Sequence, residues 1–404
     1  MKPKTFMLIA GEASGDLLAA ELVEALRSEM ASSRLVPTSD SQPLHASLEP
    51  RFFGAGGPLL AKAGVSLVLD LTQHSVIGLS DVLKNYLEFR RLFFQLYALA
   101  LDRQPDAIIC VDFSGFNRRF AHAIKQHVRQ RMDWFHDWNP KVIQYVSPQV
   151  WASREGRAHQ IARDYDLLVT LFPFEKDWYA KRVPRLRVEF AGHPMLDRYA
   201  GLTTGTPALE GSKAPSSPMV VLLPGSRAAE LARHLPVMLG ALRRMLTAVP
   251  GLRSRMALPN ETLARQAKAF DPPGELVVQA GGLPAALAGA DLAIASTGTV
   301  TMECAYFGVP TVALYRTSWS TYQVAKRLVK VRHLAMPNLL AGEEVFPEFV
   351  QGAATAENLA EAALGLLKDG ARRLTIKTRL AQIIGLLGGP GACRRAAKAI
   401  LAAV

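Results

Sequence analysis

Short strands of aliphatic and β-branched residues recur along this 404-residue chain, and most of them run into a turn of small or polar residues and then into a helical pattern. The first strand, residues 5–10, is followed directly by the turn GEASGD at residues 11–16 and by a helical pattern at 17–26. Strands that alternate with helices predict βαβ units on parallel sheets. The fold class is therefore α/β.

The strands fall into two series, one in each half of the chain. The predicted strands are residues 5–10, 107–112, 141–146, 167–171 and 188–191, followed by residues 219–223, 255–258, 276–279, 292–295 and 311–314. Residues 200–218 are rich in Gly, Thr, Ser and Pro and lack apolar periodicity, which predicts a linker. We expect Rossmann-like domains at 1–199 and 219–404 that face a cleft, and the last helices of the second can pack back on the first.

Charge and composition narrow the class of partner. The chain carries 47 Lys and Arg against 35 Asp and Glu, a formal net charge of +12 that indicates an anionic partner. No zinc-finger spacing, RNA-recognition signature or long Lys/Arg run occurs, so we expect no nucleic acid but an acidic membrane surface or a phosphorylated substrate.

Cysteine usage and hydropathy indicate the compartment. The three cysteines are far apart and favour neither a disulfide framework nor a zinc site. No apolar segment reaches the ~20 residues that span a bilayer. The apolar run at residues 5–10 is too short for a signal peptide. A cytoplasmic location is therefore expected.

Residues 75–101 interleave aromatic and aliphatic side chains with Lys84, Arg90 and Arg91. A basic and apolar helix gains roughly 1 kcal/mol per Lys or Arg at an acidic leaflet, in addition to the apolar area that it buries. Burial of the same apolar face against the chain's own sheet is the alternative. The sequence does not choose between these two interpretations.

Asp112 follows the very apolar strand at residues 107–111. Inverting glycosyl transfer needs one base that takes the proton of the acceptor hydroxyl as this attacks the anomeric carbon, and a strand-end Asp suits that role. Asp112 could equally cap the next helix or pair with an Arg. The turn at residues 11–16 is similarly open, because its backbone amides can face an anion or Asp16 can simply cap a helix.

Two loops of the second half have the features of a phosphate site. The run LLPGSR places Arg227 after a strand, where its guanidinium can engage a diphosphate bidentately. The run ASTGTVTME, residues 295–303, presents N–H groups and hydroxyls to a phosphate, and Glu303 can accept hydrogen bonds from ribose hydroxyls. In the first half, neither the turn at residues 11–16 nor the glycine cluster at residues 54–57 completes the dinucleotide fingerprint, which disfavours an NAD-dependent enzyme.

These motifs, in this order, resemble the lipid-A-disaccharide synthase family. The matching blocks cover nearly the whole chain and are GEASGD (11–16), FGAGG (53–57), residues 111–117, YVSPQVWASR (145–154), LFPFEKDWY (171–179), GHP (192–194), LLPGSR (222–227), STGTVTMECA (296–305) and LAMPNLLAGEEVFPEFVQ (334–351).

The resemblance implies a GT-B fold and an inverting transfer that uses no metal and no cofactor. 2,3-Diacylglucosamine would pass from UDP-2,3-diacylglucosamine to the 6-hydroxyl of 2,3-diacylglucosamine 1-phosphate, which gives UDP and the disaccharide 1-phosphate of lipid A. The enzyme would be peripheral, at the cytoplasmic face of the inner membrane. Its oligomeric state is not indicated.

The resemblance also assigns roles to residues. Asp112 matches the base and Arg227 an essential arginine on the phosphate side. The second half is implied to hold the donor through Ser226, Ser296, Thr297, Gly298, Thr299, Glu303, Asn338 and Gln351. The first half is implied to receive the acylated acceptor through Glu12, Ser14, Gly15, Asn117, Ser147 and Trp151.

Some positions and alternatives stay open. The family usually has an acid at Gly115 and a Trp at Ser153. His193 of the GHP block can be part of a hinge or take part in acid–base chemistry. A UDP-sugar transferase with another lipid or glycan acceptor is the nearest alternative function. A non-catalytic UDP-sugar binding protein is another, and the retained Asp112 and Arg227 count against it.

Overall fold

The structure, a computed structural model, describes residues 3–32, 49–72, 86–202 and 217–404. The chain divides into two units, of which one comprises residues 1–200 with 387–404 and the other residues 201–386. None of the helices formed by the described residues is both long enough and apolar enough to cross a bilayer.

The first unit contains a seven-stranded sheet. Its elements are β1 (Thr5–Ala10), α1 (Ala13–Ser32), β2 (Arg51–Gly56), α2 (Pro58–Lys62), β3 (Ser66–Asp70), α3 (Tyr86–Arg103), β4 (Ala107–Val111), α4 (Ser114–Arg131), β5 (Lys141–Tyr145), α5 (Val150–Ser153), α6 (Arg157–Asp164), β6 (Leu167–Thr170), α7 (Pro173–Arg182), β7 (Val188–Phe190) and α8 (Met195–Arg198). The strand order is β3-β2-β1-β4-β5-β6-β7, and every neighbouring pair is parallel.

The second unit contains a six-stranded sheet. Its elements are β8 (Met219–Leu223), α9 (Ala228–Ala248), β9 (Arg253–Leu258), α10 (Glu261–Lys268), β10 (Leu276–Ala280), α11 (Leu283–Ala288), β11 (Leu292–Ser296), α12 (Val300–Tyr306), β12 (Thr311–Tyr315), α13 (Trp319–Leu328), α14 (Met336–Ala341), β13 (Glu348–Val350), α15 (Ala356–Lys368) and α16 (Gly370–Gly385). The order β10-β9-β8-β11-β12-β13 is again entirely parallel.

Both sheets reverse their strand order beside their first strand, since β1 lies between β2 and β4, and β8 lies between β9 and β11. In doubly wound sheets, ligands bind at the carboxyl ends of the strands beside such a switch point. The loops that follow β1, β4, β8 and β11 contain the turn at residues 11–16, Asp112, Arg227 and residues 296–299. The predicted α/β class with two parallel sheets is confirmed.

The central strands are apolar without alternation. Residues 6–10 of β1 and all of β4 expose no surface. A parallel strand that is covered on both faces has this near-continuous apolar pattern, because neither side of the pleat meets water. Burial on both faces therefore fixes these strands at the centre of the sheet and leaves their carboxyl ends as the place for polar groups.

All ten predicted strands are present, with ends that shift by at most two residues. Strands β2, β3 and β13 were not predicted. Gly54 and Gly56 resemble a turn in the sequence but belong to β2. At Gly54, φ is 146°, and an added Cβ would lie 2.0 Å from the carbonyl oxygen of Leu8 on β1. Glycine at this position therefore permits the close pairing of β2 with β1.

Helix α17 (Ala392–Leu401) belongs to the first unit and packs on α1. The carboxylate of Asp197, in α8, accepts hydrogen bonds from the backbone N–H groups of Gly391, Ala392 (3.1 Å) and Cys393 (2.8 Å). These are the N–H groups that a helix start leaves without an intrahelical partner. The sequence predicts residues 387–404 as part of the second domain, with last helices that can pack on the first.

Replacing Asp197 with Ala should loosen α17, because three N–H groups lose their acceptor and the helix dipole loses a nearby negative charge. We expect a loss of about 2 kcal/mol and faster hydrogen exchange of the α17 amides, measured by mass spectrometry. The control is Asp369→Ala, since Asp369 caps α16 through one N–H group, that of Arg372, at 2.8 Å. Equal exchange of α17 in the wild-type chain and in Asp197→Ala would contradict the role of this carboxylate.

Candidate active site

The loops after β1 and β4 meet at the switch point of the first unit. A Cβ added to Gly11 would lie 2.2 Å from Cδ1 of Phe113, so only glycine lets that ring lie against the β1 loop. A Cβ added to Gly15 would lie 3.7 Å from Cβ of Asp112, which is ordinary contact. The turn at residues 11–16 and the predicted base therefore share one location.

The backbone turns sharply at this location. Asp112 and Phe113 have φ values of 47° and 43°, in the left-handed region. Asp tolerates that region better than most residues, but a bulky Phe does not. Such residues cost about 1–3 kcal/mol each and persist only where the surroundings hold them. The ring of Phe113 stacks on Phe116 with centroids 5.5 Å apart, and this contact is one such restraint.

Two buried side-chain amides supply the other restraint. Nδ2 of Asn117 donates to the carbonyl oxygen of Asp112 at 2.9 Å, and Nε2 of Gln144 donates to the same oxygen at 3.1 Å. Nε2 of Gln144 also donates to the carbonyl oxygen of Val146 at 3.0 Å, and Val146 is itself left-handed with φ of 70°. Both amide side chains are fully buried. They hold the backbone from which the Asp112 carboxylate projects.

The burial of these amides bears on the predicted roles. Asn117 is predicted to contact the acceptor, but its Nδ2 group bonds backbone carbonyls beneath Asp112, so a positioning role is the one that its contacts support. Gln144 was not predicted. Its signal is a Gln among the otherwise apolar residues 142–145 of β5. Oδ1 of Asn117 and Oε1 of Gln144 have no hydrogen-bond partner among the described residues.

Asp16 links the first two glycine-rich motifs. Its carboxylate is 2% exposed and accepts from the N–H groups of Gly57 (2.7 Å), Leu59 (2.9 Å) and Leu60 (3.1 Å). Of the two hypotheses for this residue, capping is what its contacts show, although the helix that it caps is α2. In the same turn Glu12 and Ser14 are partly exposed and Gly15 is buried, so acceptor contacts for these three stay predictions.

Ser147 and Trp151 are buried with residues of α7. Nε1 of Trp151 donates to Oε1 of Glu175 at 3.0 Å, and Oγ of Ser147 bonds the hydroxyl of Tyr179 at 3.3 Å. Burial raises the pKa of the Glu175 carboxyl to about 7. The polar groups of both predicted acceptor contacts are therefore engaged inside the unit, and Glu175 is the partner that sequence reasoning missed.

The structure shows the surroundings of His193 and of the two positions that depart from the family, Gly115 and Ser153. Burial lowers the pKa of His193 to about 4, and Nδ1 accepts from the N–H of Met195 at 3.2 Å, so the ring is neutral near pH 7. A Cβ added to Gly115 would find none of the described heavy atoms within 4 Å, so packing does not demand glycine there. Ser153 is half-buried at the end of α5.

In the second unit, Glu230 organises the loop after β8. Its carboxylate accepts from the N–H of Ser226 and from Nη1 of Arg227, both at 3.0 Å. A Cβ added to Gly225, where φ is 128°, would lie 2.5 Å from the same carboxylate. Glycine thus admits the Glu230 side chain, which in turn fixes the direction of the guanidinium.

The loop after β11 begins at the same level of the sheet, because Ala295 pairs with Leu223 of β8. Ser296 ends β11 and is buried, whereas Gly298 and Thr299 are exposed and Thr297 is partly so. Residues 296–299 and the loop 225–227 thus leave adjacent strands side by side. Glu303 is partly exposed on α12. These are the groups that the sequence predicted for a diphosphate and, at Glu303, for ribose hydroxyls.

His234 holds the β8 loop to the segment after β12. Nδ1 donates to the carbonyl oxygen of Pro224 at 2.7 Å, and Nε2 accepts from the N–H of Arg316 at 3.0 Å. Burial lowers the pKa of His234, which favours the neutral ring that these two bonds require. His234 was not predicted, because a histidine within a helical pattern gives no local sign of such a role.

Asn338 and Gln351, predicted to hold the donor, hold backbone here. Asn338 is fully buried and makes four hydrogen bonds, with the N–H groups of Val345 and Phe346, the carbonyl oxygen of Phe346 and Oε1 of Glu348. Gln351 bonds both the N–H (2.7 Å) and the carbonyl oxygen (3.1 Å) of Thr317. Direct contact of either with a donor stays a prediction.

Solved structures with a similar fold define the class. The UDP-GlcNAc 2-epimerase from Neisseria meningitidis, solved with UDP-GlcNAc bound, aligns with a TM-score of 0.59 at 12% identity over 100% of both chains. MurG from Acinetobacter baumannii aligns with a TM-score of 0.53 at 15% identity, covering 99% of this chain and 100% of its own. At these identities the likeness shows the fold, which is GT-B.

Sequence similarity then gives the family. The sequence model of the lipid-A-disaccharide synthetase family matches residues 6–403. The lipid-A-disaccharide synthase of Trichlorobacter lovleyi is 35% identical, covering 100% of this chain and 98% of that protein. The one from Geobacter metallireducens is 36% identical, with 98% and 97% covered. This chain belongs to the lipid-A-disaccharide synthase family.

Replacing Glu175 with Gln should change how stability depends on pH. The raised pKa means that the folded wild-type chain keeps a proton that the unfolded chain has already released, so stability falls as pH rises from about 4.5 through about 7. Glu175→Gln removes this titration and should gain about 3 kcal/mol over the wild-type chain across that range. Urea titrations at about pH 5 and about pH 8 measure the difference.

The matched control is Glu24→Gln, which changes an exposed glutamate of α1 in the same unit. Its unfolding free energy should follow the wild-type pH dependence. If the Glu175→Gln and wild-type profiles also run parallel, the Glu175 carboxyl does not titrate as its burial requires.

Proposed function

We propose that this chain transfers 2,3-diacylglucosamine from UDP-2,3-diacylglucosamine to the 6-hydroxyl of 2,3-diacylglucosamine 1-phosphate in lipid A biosynthesis. The observation that carries the proposal is the family match over residues 6–403. The positions of the predicted catalytic residues support it, because Asp112 and Arg227 each follow a strand beside a switch point. The products are UDP and the lipid A disaccharide 1-phosphate.

Asp112 is proposed as the base. Its carboxylate takes the proton of the acceptor hydroxyl while the hydroxyl oxygen bonds the anomeric carbon and the bond from that carbon to the UDP oxygen breaks. Attack from the face opposite UDP inverts the configuration. A base in this role needs a fixed direction, and the bonds from Asn117 and Gln144 to the carbonyl oxygen of Asp112 provide it.

Arg227 is proposed to offset the negative charge that develops on the departing UDP. Its guanidinium is held by Glu230, and its loop leaves the strand next to the one that leads into residues 296–299. Preorganised donors of this kind stabilise the charge of a transition state more than water does. Ser226 and Glu303 are proposed to complete the donor site.

The proposal also includes the identity of the acceptor and the location of the enzyme at a membrane. We place the enzyme at the cytoplasmic face of the inner membrane, because both substrates carry acyl chains. Helix α3 supports this placement, since Leu87 and Phe94 are 77% and 53% exposed. On the same helix Leu92 and Leu96 are buried, so α3 both packs on its sheet and presents apolar surface. Residues 75–85 of the predicted membrane segment lie outside the described residues.

The experiment that tests the function measures UDP release by the purified chain with UDP-2,3-diacylglucosamine and a panel of acceptors. The panel contains 2,3-diacylglucosamine 1-phosphate, the same sugar without its phosphate, and unacylated glucosamine 1-phosphate. Turnover should require the acylated phosphate. Equal turnover with other lipid or glycan acceptors would instead support the alternative transferase.

Asp112→Asn is the sharpest test of the base, because Asn tolerates the left-handed backbone while it cannot take the proton. We expect kcat to fall by about 10²–10⁴-fold, with the affinity for UDP unchanged. Asp177→Asn, at an exposed position on α7, is the control and should retain wild-type turnover. Full activity of Asp112→Asn would remove Asp112 from the mechanism.

Gln144→Leu tests the support beneath Asp112. The leucine removes the Nε2 donor and leaves the Val146 carbonyl without that bond, so the left-handed turn should relax and kcat should fall by about 10–100-fold. UDP affinity, a property of the second unit, should not change. The control is Thr170→Val in the same sheet, where the buried hydroxyl makes contacts at 3.5 Å with the carbonyl oxygens of Phe172 and Glu189. A Gln144→Leu enzyme as active as Thr170→Val would show that the turn needs no amide.

A further inference from the structure

Helix α13, all of whose residues are described, has no fully buried side chain. Trp319 is 75% exposed, Val324 is 44% exposed and Val329, just after the helix, is 37% exposed. Helices of soluble proteins owe most of their stability to an apolar face that packs against a core. The other side of α13 is only partly buried, at Tyr322, Ala325 and Leu328 among others. An exposed Trp on a helix with so little packing against its own unit is a candidate for contact with another molecule.

The charged side chains in and around α13 are all basic. Residues 316–333 contain five Lys and Arg and neither Asp nor Glu. Lys326 and Arg327 are exposed together with Trp319 and Val324. At about 100° per residue these four side chains fall within about 160° of the helix circumference. One face of α13 is thus both apolar and basic.

The same face borders a recess of about 540 Å³ that is lined by Trp319, Gln323, Val324, Arg327 and Leu328. Apolar side chains form most of its wall and one guanidinium stands beside them. This combination suits a ligand with an acyl part and an anionic part.

The position of α13 connects this face with the donor site. The helix follows β12, which is parallel to β11, so it begins near the carboxyl ends of the strands, where the loop 296–299 also lies. Gln351 holds Thr317 and His234 holds Arg316, which fixes the backbone just before the helix.

We propose that α13 is a docking surface for the anionic face of a lipid bilayer. Trp319 and Val324 enter the interfacial region, while Lys326 and Arg327 pair with lipid phosphates. The inference rests on the proposed function in one respect, which is that an acylated donor stays in the leaflet until its sugar is transferred. Docking through α13 brings the carboxyl ends of the strands, and with them the proposed donor loops, to that leaflet.

The test measures binding of the full chain to vesicles of phosphatidylethanolamine and phosphatidylglycerol, and to vesicles of phosphatidylcholine alone, by flotation without substrates. The variant combines Trp319→Ser, Lys326→Gln and Arg327→Gln. Its partitioning to the anionic vesicles should fall at least about tenfold, even if α3 also binds lipid, because independent contributions to binding multiply. Binding of the wild-type chain should weaken with salt and be much lower on phosphatidylcholine.

The matched control combines Leu374→Ser, Arg372→Gln and Lys377→Gln on α16, where Leu374 is 66% exposed. It removes the same charge and one exposed apolar side chain, and it should bind vesicles like the wild-type chain. Equal binding by the α13 variant and the wild-type chain overturns the inference. So does a change of the α13 variant to a smaller oligomer in sedimentation, which would assign the face to a second copy.

Turnover separates this inference from the proposed function. With both substrates in detergent micelles, the α13 variant should keep wild-type turnover, whereas turnover with vesicle-borne substrates should fall with binding. If the wild-type chain makes no product in micelles while the α13 variant still loses vesicle binding, the proposed function fails and the docking surface stands. If turnover is normal and vesicle binding is unaffected, the docking surface is wrong and the function stands.

Discussion

The site in the first unit depends on one acceptor, the carbonyl oxygen of Asp112, which two buried amides bond at once. The left-handed backbone of Asp112 and Phe113 is unfavourable by itself. It persists because Asn117 and Gln144 stabilise it through hydrogen bonds to the carbonyl oxygen of Asp112. The Phe113 ring on Gly11 closes the loop from the other side. The direction of a carboxylate is thus set by groups that never need to touch a substrate.

The second unit uses the same device with different chemistry. Glu230 gathers Ser226 and Arg227, His234 joins the β8 loop to the segment after β12, and Gln351 holds the residue that follows. In both units the parallel strands determine only where the loops lie, which is beside a switch point of the sheet. Polar side chains behind the loops, many of them buried, determine what the loops present. Several residues that a motif would assign to ligand contact belong to this supporting set.

How far the sequence predicted the structure follows from what each element shows locally. Apolar runs such as 107–111 and 292–295 have one physical solution, a buried parallel strand, and they were found. Strand β2 was missed because glycines that allow close strand pairing resemble turn residues. Motif positions were found because small residues at strand ends are visible in the sequence. Gln144, Glu175 and His234 were missed, because their roles depend on partners distant in the sequence.

The return of α17 to the first unit has a consequence for how the chain is made. The unit that contains β1 is completed by residues 392–401, so a ribosome that has released every strand of the first sheet has still not released the helix that packs on α1. The second unit, encoded between these parts, can acquire its core earlier. Although its strands come first, the first unit can be completed only after all of the second unit has been synthesised.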